Sequence, residues 1–307
     1  MVRKIAFLIG LGFVGVLLIA LIGTVVEAVR NPQPETAEHE FHLEPRPAGF
    51  SFEGVFGRWD RAQLQRGFQV YKEVCAGCHS MRLVSFRHLE QLGYNEAEVK
   101  AIATQWQVEQ PSVNAETGEP ATRKNIPSDR IPSPYANEVA ARAANNNAVP
   151  PDLSLMVKAR DDGADYVYSL LTGYRPQPAE LLKKFPDLKT PQGLHYNPYF
   201  ANLNIAMPAP ITSDNQVTYS DGTRATRDQM AKDVAAFLVW TAEPTLEARH
   251  RAGWAVLIFL LIATVLAYMA YRNIWATAKR QVAVRGPLDP AFRERMDEAK
   301  ADSGIAG

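Results

Sequence analysis

The stretch Val74-Cys75-Ala76-Gly77-Cys78-His79-Ser80 constrains this chain more than any other. Two cysteines separated by two residues lie on one face of a helical turn, and a histidine follows at once. Such a pair can add both thiols to the two vinyl groups of one porphyrin edge, with the imidazole beneath the macrocycle as an axial ligand to iron. Ala76 and Gly77 are small and leave that edge unobstructed. The same Cys-x-x-Cys could be a redox dithiol or half of a zinc site. A zinc site needs a second ligand pair, however, and these are the only two cysteines in the 307 residues. A thioredoxin-like dithiol needs a βαβ setting and no following histidine. The motif therefore predicts one covalent haem c on Cys75 and Cys78, with His79 on the iron. No cysteine pair is left for a disulfide, and haem attachment of this kind points outside the cytoplasm.

Two apolar runs bound the chain. Ile5 to Val26 is 22 residues without a charge, preceded by Arg3 and Lys4, and is long enough to cross a bilayer. It fits either a signal peptide cleaved after Val26-Glu27-Ala28 or a retained anchor, although it exceeds an ordinary signal core. Ala252 to Tyr271 is a second uncharged run of 20 residues, with Trp254 at one end and Tyr268, Tyr271 and Trp275 at the other. This predicts a transmembrane helix with an aromatic belt. Arg272, Lys279, Arg280 and Arg285 follow it and place the C-terminus in the cytoplasm, while Arg249 and Arg251 weaken that asymmetry. The expected division is residues 1–30 as signal or anchor, 31–248 as an external haem domain, 252–271 as the span, and 272–307 as a cytoplasmic tail.

Between the runs the pattern is helical with long loops. Residues 31–58 read as an extended lead-in. Asp60 offers a helix cap with Gln63 three residues on, and Leu64, Phe68 and Tyr71 form an apolar stripe leading into Cys75. Asn95 with Glu98 signals a second helix towards Trp106, and residues 111–137 read as loop. Asp152 to Arg160 is expected to begin a short helix, and Tyr166 to Leu171 another that stops at Gly173. Residues 176–198 hold five prolines and read as surface loop. Thr226 with Gln229 caps a helix whose buried face is Met230, Val234, Phe237 and Thr241, ended by Pro244 and packed on the helix containing Phe68. His88 reads as a surface or core-edge histidine.

Met207 lies in Ile205-Ala206-Met207-Pro208-Ala209-Pro210, where two prolines restrict the backbone as a thioether held against iron would require. From the local sequence alone an ordinary core methionine is the commoner case. Met81 is too near His79 to reach the opposite face, and Met156 and Met230 fall in helical patterns.

Taken in order, these motifs resemble the cytochrome c1 family, the haem subunit of the cytochrome bc1 complex. The resemblance runs from about Arg66 to Arg280. It is carried by Arg66-Gly67-Phe68-Gln69-Val70-Tyr71-Lys72, Pro150-Pro151-Asp152-Leu153-Ser154, Ser169-Leu170-Leu171-Thr172-Gly173-Tyr174, Asn197-Pro198-Tyr199-Phe200, Ala206-Met207-Pro208, and Asp233 to Pro244 before the single C-terminal anchor. It implies a mainly α c-type cytochrome domain with long loops and Met207 as the sixth ligand. It also implies that Arg160 and Tyr166 contact a haem propionate, and that Asn145 and Pro150 line the pocket. From composition alone Arg160 would be a solvated charge. Some bacterial members carry an extra cysteine pair near the methionine; it is absent here, so the rigidity of that loop is expected from its prolines.

The implied activity is electron transfer from the Rieske iron-sulfur protein to a c-type cytochrome, in a complex with cytochrome b. The haem domain would lie on the periplasmic side of a bacterial inner membrane. Alternatives are an anchored carrier subunit of an oxidase, or a haem peroxidase, which would need an open iron position. Charge adds an expectation about the acceptor. Residues 31–248 hold 27 acids against 21 bases in a chain that is neutral as a whole. The candidate docking clusters are Glu35, Glu38, Glu40 and Glu44, and Asp161, Asp162 and Asp165, although an ordinary solvated surface is the commoner fate of any single charge run.

Overall fold

The structure, a computed structural model, describes residues 2–31, 36–281 and 289–302. About 53% of the chain is helical, with little strand. Helix α1 spans Val2–Arg30 and is followed by a short α2, Ala37–Phe41, capped by the Thr36 hydroxyl on the His39 N–H. That turn replaces part of the extended lead-in expected there. Helix α3, Arg61–Val70, starts where Asp60 predicted: its carboxylate accepts the Gln63 N–H at 3.1 Å. Strand β1 (Met81–Ser85) and a 3-10 turn over Phe86–Leu92 precede α4 (Glu96–Thr104), whose reciprocal Asn95–Glu98 cap is present in both directions. His88 lies at the core edge, its ring nitrogen accepting the Ser85 N–H at 3.2 Å.

The stretch expected as loop from 111 is instead a hairpin of β2 (Gln110–Val113) and β3 (Pro120–Arg123), followed by β4 (Arg130–Ile131), which pairs antiparallel with β1. The tight turn at Asn114–Glu119, closed by the Asn114 carboxamide, sets that register. Helix α5 covers Glu138–Ala144 and α6 Gly163–Thr172. The helix expected at 152–160 shrinks to one 3-10 turn, Met156–Lys158, because Asp152 is engaged with another segment. The proline-rich stretch carries α7 (Ala179–Lys184) and β5 (His195–Tyr196), which pairs with β6 (Asn204–Ile205). Helix α8 is Arg227–Ala242, α9 is Leu246–Gln281 and α10 is Pro290–Asp302.

Two compact units result: residues 1–53 with 58–244, and residues 54–57 with 245–307. The first has its core where α3 crosses α8. The predicted stripe Leu64, Phe68 and Tyr71 is buried, as are Met230, Val234, Phe237 and Thr241 on α8. Phe68 and Tyr71 meet Phe237 with ring centroids 5.7 and 5.8 Å apart, and Trp106 closes the cluster against Phe86. The crossing is tight at Gly67, where an added Cβ would stand 2.1 Å from the Asp233 carbonyl oxygen. Beside it the fully buried Asp233 carboxylate is neutralised by Arg66 at 2.9 Å and accepts from Gln63 and Gln229 at 3.1 and 2.8 Å. A buried charge removed from water needs this full set of partners, so the network fixes the α3–α8 register. In the second unit α9 presents an exposed apolar surface long enough to cross a membrane, and α1 in the first meets the same test.

Candidate haem site

The cysteines emerge directly from the α3 core. The chain does not stop at Val70 but widens into a π-helical turn over Tyr71–Cys75, closed by the Ala76 N–H on the Tyr71 carbonyl at 2.8 Å. The N–H groups of Cys78 and His79 then both donate to the Cys75 carbonyl, at 3.0 and 2.9 Å, so the motif is wound as one tight turn. Both thiols are free, Cys78 exposed and Cys75 half-buried. Burial, reinforced by Cys78, pushes the Cys75 thiol up to about 12, which keeps it protonated.

His79 is oriented by a group that leaves no side-chain mark in the sequence. Its Nδ1 lies 2.8 Å from the Pro151 carbonyl oxygen. A carbonyl can only accept, so Nδ1 carries the hydrogen and the Nε2 lone pair is left for a metal. Burial lowers the His79 pKa, against the opposing effects of Pro151 and Asp152, which favours the neutral imidazole that ligates. Its backbone is tied too, since the Tyr71 hydroxyl donates to the His79 carbonyl at 3.2 Å.

The Pro-Pro-Asp-Leu-Ser stretch is held against the motif by a zipper. Leu153 N–H donates to the Ser80 carbonyl at 2.9 Å, Ser154 Oγ accepts the Leu83 N–H, and the Asp152 carboxylate accepts from Ser80 Oγ and the Arg82 N–H, both at 2.8 Å. Burial alone would raise the Asp152 pKa. Hydrogen bonds from Ser154, Arg82 and Ser80 outweigh it and hold the carboxyl below its usual range. Pro150 is half-buried at the start of this zipper. Asn145, at the end of α5, and Cys78 share a neighbour in Tyr135, whose hydroxyl both influence electrostatically.

A second cluster surrounds Met207. The Tyr174 hydroxyl donates to the Met207 carbonyl at 3.0 Å, and Tyr166, on α6, lies close enough to Tyr174 to influence it electrostatically. Asn197 donates to the Leu170 carbonyl at 2.8 Å, and a Cβ at Gly173 would meet Tyr199 at 2.5 Å and Asn197 Oδ1 at 2.9 Å. The Ser-Leu-Leu-Thr-Gly-Tyr and Asn-Pro-Tyr-Phe motifs are thus two halves of one contact that carries the methionine segment. Met207 is half-buried. Rigidity expected from Pro208 and Pro210 alone is supplemented by Tyr174 and by Gln216, which donates to the Pro210 carbonyl at 2.9 Å.

The chain between the two clusters holds Arg160, which is exposed and donates to the Ala159 carbonyl at 2.8 Å. The donor set fits a haem. It offers two thiols on one turn, an open approach over Gly77, where an added Cβ meets nothing within 4 Å, an imidazole with Nε2 available, and a tethered thioether. It does not fit a bare metal ion: among the described residues no three His, Cys, Asp or Glu side chains stand where they could hold one. Sequence reasoning missed Tyr135, Tyr174 and the Pro151 carbonyl as supports. Tyr174 ends a quoted motif, but nothing local tells a hydrogen-bonding tyrosine from a packed one.

Comparison with known proteins decides the family. The model described as "Cytochrome C1 family" matches residues 50–278. The chain belongs to the cytochrome c1 family. It is 45% identical over 239 residues to "Cytochrome c1" of Rhodospirillum rubrum, which covers 75% of this chain and 87% of that protein. It is 44% identical over 256 residues to "Cytochrome c1, heme protein, mitochondrial" of Saccharomyces cerevisiae, 83% of this chain and 79% of that one. A third relative, "Cytochrome b/c1" of Bradyrhizobium diazoefficiens, is 44% identical over 248 residues, which are 75% of this chain and 36% of that longer protein. Membership brings a cytochrome c1 electron-transfer role and one c-type haem.

Proposed function

We propose that this chain is the haem subunit of a cytochrome bc1 complex, taking electrons from the Rieske iron-sulfur protein and passing them to a c-type cytochrome. The observation that carries the reading is the 2.8 Å contact of His79 Nδ1 with the Pro151 carbonyl, which dedicates Nε2 to iron beside two free thiols. Cys75 and Cys78 would hold the porphyrin through thioether bonds, and His79 and Met207 would ligate its iron. When bound, the haem supplies a one-electron Fe(III)/Fe(II) couple, whose potential His/Met ligation raises. Tyr174 fixes the methionine backbone, Asn145 and Pro150 line the pocket, and Arg160 and Tyr166 bind a propionate. With both His79 and Met207 given to the iron, no position would be left for an added reactant, which favours a carrier over the peroxidase alternative.

Residues 31–248 form the haem domain on the periplasmic side of a bacterial inner membrane, 252–271 the span, and 272–307 the cytoplasmic tail; residues 1–30 are a signal or a second anchor. The exposed apolar surface of α9 and the aromatic residues at its ends support that placement. Cytochrome b is the neighbour, a reading supported by the relative whose name joins b and c1. For docking of a basic cytochrome c, Asp161 and Asp162 are exposed, whereas Asp165 accepts the Ala48 N–H at 2.8 Å and Glu40 is paired with Lys184 at 2.5 Å. Glu35, of the other cluster, lies outside the described residues. Affinity purification of the full chain from native membranes tests the assignment: a b-type cytochrome and an iron-sulfur protein should co-purify. Recovery with oxidase subunits instead would overturn it.

A further inference from the structure

Residues 54–57, Gly-Val-Phe-Gly, form a charge-free turn that belongs to the same compact unit as α9. Gly54 has φ +75°, a conformation that side chains resist, and the Gly57 N–H closes the turn on the Gly54 carbonyl at 3.1 Å. Val55 and Phe56 stand at its tip, 64% and 77% exposed. Water is a poor environment for such a pair, and nothing in the turn covers them. Phe56 is nevertheless not loose. Its ring stacks on Trp254 with centroids 5.4 Å apart and planes 12° from parallel.

Trp254 supplies the depth. It is the third residue of the uncharged run on α9, about 3 Å along the axis from the polar end at 1.5 Å per residue. Tryptophan is enriched at that level of a bilayer because its ring is amphipathic. Arg251, exposed and three residues earlier on the same helical face, lies where a cation meets headgroups. A ring stacked face to face on Trp254 shares its depth. We infer that the Val55-Phe56 turn dips into the interfacial layer of the membrane, so that the chain is held at that surface by a second apolar contact besides α9. This rests on the reading that α9 spans the bilayer.

The test is nitroxide labelling of the full-length holoprotein in lipid nanodiscs, with accessibility to oxygen and to a nickel chelate measured by power saturation. Cysteines are placed singly at Phe56, at Val55, which leaves the ring stack intact, at Ile262 within α9, and at Val113 on the β2–β3 hairpin. Positions 55 and 56 should fall between 113 and 262, with an oxygen-to-nickel ratio several-fold above that at 113 and below that at the deeper 262. A ratio at 55 and 56 equal to that at 113, with 262 lipid-like, overturns the proposal and leaves the span intact. If 262 itself is accessible to nickel, the span reading fails. Inaccessibility of 55 and 56 to both reagents also overturns the proposal, since protein rather than lipid would then cover the turn.

Discussion

Replacing Tyr174 by phenylalanine removes one hydroxyl and keeps the ring. The loss falls on one contact, the 3.0 Å bond to the Met207 carbonyl. Pro208 and Pro210 have no N–H, so this segment has few other ways to tie its backbone down. A hydrogen bond of this kind contributes about 0.5–1.5 kcal/mol net. If all of it is drawn from the iron–thioether bond of the reduced state, it converts at ~59 mV per ~1.4 kcal/mol for one electron to a fall of about 20–60 mV in the haem potential. The direction follows from the thioether's preference for Fe(II). Equilibrium redox titration of the haem absorbance reads the shift, and carbon monoxide added to the reduced protein reads how often the sixth position opens. A Tyr174→Phe protein with wild-type potential and no carbon monoxide band would show that the hydroxyl does not position the methionine. A lower thermal stability without a change in potential would make it a packing residue only.

Met207→Leu should keep covalent haem and His79 ligation but lower the potential by on the order of 0.1–0.3 V, within the ~0.8 V that axial ligands span, and admit carbon monoxide; unchanged values would move the sixth ligand elsewhere. Gly67→Ala gains about 1 kcal/mol of helix propensity yet drives a Cβ to 2.1 Å from a backbone oxygen that no rotamer can move, so a net loss of at least ~2 kcal/mol and a lower melting temperature are expected. An equal or higher melting temperature would contradict the tight crossing. Asp152 has a folded pKa below its unfolded value of about 3.9, so it stabilises the protein above that value and loses the effect as pH falls through the folded pKa. Asp152→Asn should therefore melt earlier than wild type at pH 7 and converge with it in acid; a gap that persists in acid would refute the carboxylate's role.

Local chemistry announced much of this fold. Asp60, Asn95 and Thr226 each cap the helix they were expected to start, and in each case the cap and its partner are three residues apart. Even there two details escaped: the Gln63 and Gln229 side chains both turn to Asp233 rather than back to their caps. The helix expected to begin at Asp152 does not form there, because the Asp152 carboxylate is taken by Ser80 and Arg82, about 70 residues away. The hairpin at 110–123 was hidden by its polarity: two short strands with half-buried faces show no apolar alternation. At the site, residues that act through their own chemistry were legible, the thiols and the imidazole above all. Those that act by backbone or by distance were not. Pro151 works through a carbonyl, Tyr174 across 33 residues, and Tyr135 by standing between Asn145 and Cys78.

The central claim is that electrons reach this haem from the iron-sulfur protein and leave it for a c-type cytochrome. Rapid mixing of quinol with native membranes, following the c-type and b-type haem absorbances, tests it most directly. With the iron-sulfur protein present, the haem on Cys75 and Cys78 should be reduced and then reoxidised by added ferric cytochrome c. With that protein extracted, it should stay oxidised while the b-type haem is reduced. Reduction at an undiminished rate after extraction would contradict the account.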